Sequence, residues 1–182
     1  MSSRIRNKMA AAVLGVALAT GAAPAASLFT ATAEAASATT YSKFDTQLIQ
    51  LINQARLAHG LRPLQIAAGT SDVAHSWSCH LATVRALSHN GALGNDLESH
   101  GSRLWTSYDE NVGYVARTAG AKRLFRAYMN SPEHRANILD SSVRYIGSWT
   151  KVGGHKRYNT IDFVGNRSTS YNTAYGAMRV GC

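Results

Sequence analysis

The chain has 182 residues, of which 45% are hydrophobic and 16% charged, and a formal net charge of +9. That length gives room for one domain with a sizeable core, and the composition excludes both wholesale disorder and a polytopic membrane protein. The positive excess suits anionic surroundings such as wall polymers or lipid head groups, but Lys and Arg are scattered and no nucleic-acid motif is present, so no specific nucleic-acid partner is expected.

Residues 1–35 read as a secretory signal peptide. Arg4, Arg6 and Lys8 form a positive leader, residues 9–19 form a short apolar stretch, and Ala33-Glu34-Ala35 offers a small-x-small cleavage site. The alternative is a single membrane anchor. Against it, Thr20, Gly21 and Pro24 break the apolar run, which falls short of the roughly 20 residues that span a bilayer. Cleavage after Ala35 removes three positive charges and one negative, leaving 16 Lys+Arg against 9 Asp+Glu and a net charge of +7. Residues 36–40 then form a lead-in and residues 41–182 a single domain. The mature chain is expected to be a secreted monomer, extracellular or associated with the cell wall, with no membrane-spanning segment.

Export bears on Cys79 and Cys182, the two cysteines of the chain. In an oxidising compartment they are expected to pair, and the long closed loop would stabilise by ~4 kcal/mol in the chain-entropy model. Reduced, buried thiols are the other reading.

Residues 42–58 predict an amphipathic helix, with Phe44, Leu48, Leu51, Ile52 and Ala55 on its apolar stripe, Ser42 as its cap, Asn53 and Arg56 on or near the polar side, and Gly60 as its stop. An extended connector through Pro63 follows. A second helix is expected over about 72–87, opened by Thr70 or Ser71. His75 and Cys79 share one of its faces and would suit a metal if more ligands joined them, but none is evident locally; His75 and His80 are otherwise exposed or satisfied polar positions. Ser88-His89-Asn90-Gly91 is a turn that presents His89 at the junction of helix and loop. From 91 to 108 the pattern is weak, with one short helix around 95–100, and Asp109-Glu110 then enters an apolar run.

A third helix is predicted over 119–129, with Lys122, Arg123 and Arg126 on its outer face. A break at Ser131-Pro132 begins a short helix in which Ser131 serves as the cap and Pro132 as the first residue. His134 is its third residue, where the positive end of the helix dipole favours a neutral imidazole. Strands are expected at 143–152 and 158–164 around a Gly153-Gly154 turn, with a last one near 175–180. Helices first and a hairpin afterwards indicate an α+β domain.

Several blocks occur together in order: Leu51-Ile52-Asn53-Gln54-Ala55-Arg56, Gly60-Leu61-Arg62-Pro63-Leu64, Ser88-His89-Asn90, Glu110-Asn111-Val112, Ser131-Pro132-Glu133-His134-Arg135-Ala136-Asn137-Ile138-Leu139 and Ile146-Gly147. Over about residues 41–164 the chain resembles the CAP superfamily of cysteine-rich secretory, antigen 5 and pathogenesis-related proteins, in its short bacterial secreted form. The resemblance implies an α-β-α sandwich of helices on a small antiparallel sheet. It also implies a central cleft where two histidines and acidic residues gather and can hold Zn2+ or another divalent ion. By motif position these are His89, Glu110 and His134, with Asn111 fixing the Glu110 loop. The chain departs from the animal pattern where a second glutamate is usual and Met129-Asn130-Ser131 stands instead. Glu133 projects roughly 100° away from His134 and is a poor substitute.

Two imidazoles and a carboxylate can bind zinc with water in the open position, or they can brace a cleft through hydrogen bonds. No His-Glu-x-x-His helix and no Gly-x-Ser-x-Gly elbow is present. The expected activity is binding of lipid, wall polymer or protein through the cleft. The rival is a metal-assisted hydrolase of peptide or wall material.

Overall fold

Ser42 opens helix α1 (Lys43–Ala58) as the sequence predicts, its hydroxyl accepting from the Asp45 amide at 3.1 Å. The computed structural model describes residues 41–100 and 105–166. The expected signal peptide, the lead-in, the strand near 175–180 and Cys182 lie outside the described residues.

Leu48, Ile49 and Ile52 form the inner face of α1. Arg56, expected on or near the polar side, is instead 1% exposed. Periodicity placed it by residue type, but its guanidinium is satisfied internally: it donates to the carbonyls of Arg62, Ile138, Asp140 and Val143.

Strand β1 (Gln65–Ile66) leads into α2 (Ala68–Val84), which starts earlier than predicted. Ser71, expected to open that helix, lies within it and donates its hydroxyl back to the Ala67 carbonyl at 2.6 Å. The helix ends before residue 87 because Arg85 adopts the left-handed conformation, at φ 58°. Helix α3 (Leu93–Ser99) is anchored by the buried Leu93 and Leu97.

Strand β2 (Trp105–Ala116) follows, and the sequence reading did not anticipate it. Its middle is Asp109-Glu110-Asn111, three poor strand formers, held extended by pairing with β4 along most of its length. Helix α4 (Ala121–Asn130) buries Ala121, Leu124 and Tyr128 and leaves Lys122, Arg123 and Arg126 exposed. Helix α5 (Pro132–Ile138), β3 (Tyr145–Gly153) and β4 (Lys156–Asn166) complete the described fold. The hairpin turn lies one residue later than expected, with Gly153 ending β3 and Gly154 at φ +60°.

The sheet runs β1-β3-β4-β2. It is mixed rather than antiparallel, because the Pro63 connector delivers β1 parallel to β3, Gln65 beside Tyr145. Helices α1, α4 and α5 pack on one face through Leu48, Ile52, Leu124, Tyr128, Ile161 and Phe163. Helices α2 and α3 cover the other, with Val73, Leu97, Leu81, Tyr145 and Val164 in its two clusters. This is the α-β-α sandwich that the resemblance implied. At Gly147 the backbone of α2 comes so close that a Cβ would lie 2.4 Å from the Thr70 carbonyl. Among the described residues no helix is long and apolar enough to cross a membrane.

Candidate functional site

Strand β2 is an edge strand, and the candidate residues gather around its middle. Side chains alternate along a strand, so Glu110 and Asn111 project to opposite faces. Glu110 meets the end of the α2 layer. Its Oε1 accepts from His89 Nδ1 at 2.7 Å and from the Asn90 amide at 2.9 Å. Asn90 is itself held, donating to Asp96 and accepting from the Ala92 amide, so the Asn-Gly turn is locked to the head of α3.

Burial differs sharply across this pair: the His89 side chain is 65% exposed and that of Glu110 only 5%. Burial pushes the Glu110 carboxyl above its ordinary range, and the bonds from Asn90 and His89 oppose that shift. With Glu110 ionised, Nδ1 is the ring nitrogen that donates to it. The other carboxylate oxygen, Oε2, is buried with no hydrogen-bond partner among the described residues.

Asn111 works on the opposite face. Its Nδ2 donates to the His134 carbonyl at 3.0 Å, and its Oδ1 accepts from Asn137 Nδ2, which also donates to the Glu110 carbonyl. Asn111 therefore fastens α5 to the edge strand. The resemblance gave it the role of fixing a Glu110 loop, but Glu110 is on a strand and what Asn111 holds is the backbone of His134.

The His134 ring lies edge-on to Tyr128 at 5.0 Å between centroids. Burial and the positive charge of His89 hold its pKa below the ordinary value, against a smaller opposing pull from Glu133. The shift has the direction expected from the helix start, and burial is its leading cause. Ser131 occupies the N-cap position without making a side-chain cap bond. Its hydroxyl donates to Glu133 Oε2 at 3.1 Å instead, and that carboxylate also accepts from its own amide.

One acidic neighbour escaped the sequence reading. Asp162 is the cross-strand partner of Glu110, fully buried, with neither carboxylate oxygen hydrogen-bonded among the described residues. Burial, then Glu110 and Asp96, push its pKa well up. A carboxylate between Ile161 and Phe163 in an apolar strand was the signal that could have found it.

His75 and Cys79 do share a face, with Nε2 and Sγ 3.6 Å apart, but no further ligand among the described residues joins them. Indeed, among the described residues no three His, Cys, Asp or Glu side chains are placed to hold a metal ion. At the main site Glu110 Oε1 is already taken by His89 and Asn90, which leaves the two imidazoles as its remaining nitrogen donors.

The Cysteine-rich secretory protein family (CAP) matches residues 49–166. The chain belongs to this family. It is 30% identical over 126 residues to the uncharacterized protein YkwD of Bacillus subtilis (strain 168), a match covering 64% of this chain and 48% of YkwD. The chain thus spans about half the length of that relative. Among solved structures, an outer surface protein from Borrelia burgdorferi superposes with a TM-score of 0.61 at 17% identity, covering 69% of this CAP chain and 95% of that one. An extracellular protein containing an SCP domain from Bacillus anthracis gives a TM-score of 0.55 at 24% identity, over 66% of this chain and 40% of that one. These likenesses establish the fold.

Proposed function

We propose that this CAP protein is exported and acts outside the cell by binding lipid, cell-wall polymer or protein through the site at His89, Glu110 and His134. The observation that carries this reading is the bond from His89 Nδ1 to the buried Glu110, which fixes a largely exposed ring whose charge reaches the His134 imidazole. Such a pair accepts hydrogen bonds from a polar ligand group. The leader-like residues 1–35 and relatives described as outer surface or extracellular proteins support the location. Pairing of Cys79 with Cys182 belongs to the same reading.

The same reading extends to a divalent ion such as Zn2+. His89 and His134 would hold it, and Glu110 would orient His89 and neutralise charge. A bound ion would polarise a ligand oxygen or activate a water. A hydrolytic reading is favoured by one feature, the buried Glu110 with its raised pKa and unpartnered Oε2, which suits a general base.

Zinc calorimetry on the wild type and on His89→Ala/His134→Ala, with mass spectrometry of natively purified protein, tests the proposal. Zinc binding lost in the double variant and a co-purifying lipid or glycan support it. Turnover of peptide or wall fragments that depends on Glu110 would favour the hydrolase. If the double variant keeps full zinc and ligand binding, the site is wrongly assigned.

A further inference from the structure

A second feature lies away from that site. A cleft of about 500 Å³ opens between the α1–β1 connector and the α5–β3 connector, lined by Arg56, Arg62, Gln65, Ser141, Arg144 and Tyr145 among others. None of His89, Glu110 or His134 lines it.

Its charge is unbalanced. Arg62 and Arg144 are exposed, and among the described residues their side chains have no hydrogen-bond or ion-pair partner. Arg56 is buried, and no carboxylate of the described residues comes within ion-pair distance of it. Five N–H donors make four bonds, all to carbonyls, and the last, from Nη2 to Val143, is long at 3.5 Å. Asp140 acts on Arg56 through its charge, while its carboxylate oxygens accept from the amide and hydroxyl of Ser142. Burial lowers the Arg56 pKa and the charge of Asp140 opposes that only in part, so the cleft keeps a positive excess of three guanidinium groups against one nearby carboxylate. Guanidinium groups are the side chains best matched to a tetrahedral or planar oxyanion.

We infer that this cleft is a binding site for a phosphate group, with Arg62 and Arg144 as its outer clamp and the buried Arg56 as the charge at its base. A recessed concavity suits one phosphate entering it rather than the plane of a bilayer. The inference is independent of the His89 site.

The test is an NMR and calorimetric titration of the full chain with inorganic phosphate at constant ionic strength, with acetate as a second probe. Two charge-matched variants are compared: Arg62→Gln/Arg144→Gln in the cleft and Lys122→Gln/Arg123→Gln on α4. All four residues are exposed, so both proteins should fold. Phosphate is expected to shift the amides of residues lining the cleft and to bind roughly tenfold or more weakly to the cleft variant, with the α4 variant unchanged. Shifts scattered over the surface, equal weakening in both variants, or tighter binding of acetate than of phosphate would overturn the assignment.

Discussion

His89 Nδ1 donates to Glu110 Oε1 at 2.7 Å, joining an exposed imidazole to a buried carboxylate on the edge strand. Because the Asn90 amide shares that oxygen, Glu110→Ala leaves two donors without their acceptor and is expected to cost about 1–3 kcal/mol in urea denaturation. Glu110→Gln keeps an acceptor oxygen and should cost less. Equal, negligible losses in both variants would mean that the carboxylate does not organise the turn.

Asn111 should matter more to α5 than to the sheet. In Asn111→Ala the His134 carbonyl loses its donor and Asn137 loses an acceptor, at an expected cost of about 1–3 kcal/mol. Hydrogen exchange should speed up in α5 while β3 and β4 stay protected. Uniform acceleration across the sheet would contradict this role.

The helices were legible because their apolar positions recur at helical spacing, as Leu48, Ile52, Leu124 and Tyr128 do. The edge strand was not, because Asp109, Glu110 and Asn111 are extended by pairing with β4 rather than by their own preference. His89, Glu110 and His134 were chosen through motif position. Their contacts were not legible: the buried acceptor, the exposed imidazole and the Asn111 brace depend on which strand face each residue takes. Arg56 and Asp162 break hydrophobic patterning, and their surroundings come from residues distant in the sequence.

Close approach of α2 to the sheet makes Gly147 intolerant of a side chain. Gly147→Ala would place a Cβ 2.4 Å from the Thr70 carbonyl, and helix or strand must move. A loss of roughly 1–3 kcal/mol or more is expected, read as a lowered thermal midpoint. An unchanged midpoint would contradict the packing described.

Asp162 gives a pH dependence of defined sign. Its folded pKa is raised well above the unfolded value, so the folded chain holds this proton more tightly, and the associated stability is present at acid pH and lost as pH rises through the folded value. Asp162→Asn removes that titration. The variant should gain stability relative to wild type at about pH 8 and lose this advantage towards about pH 4. A constant difference across that range would count against a buried, unpartnered carboxylate.

The central claim is that His89 and His134 share one site. It is most directly tested by following the ring nitrogens of His134 by NMR against pH, in wild type and in His89→Ala. The account predicts a His134 pKa below 6.5 that moves up, but not fully to 6.5, when His89 is removed, because burial remains. A His134 that titrates at or above 6.5 and does not respond to His89→Ala would contradict it.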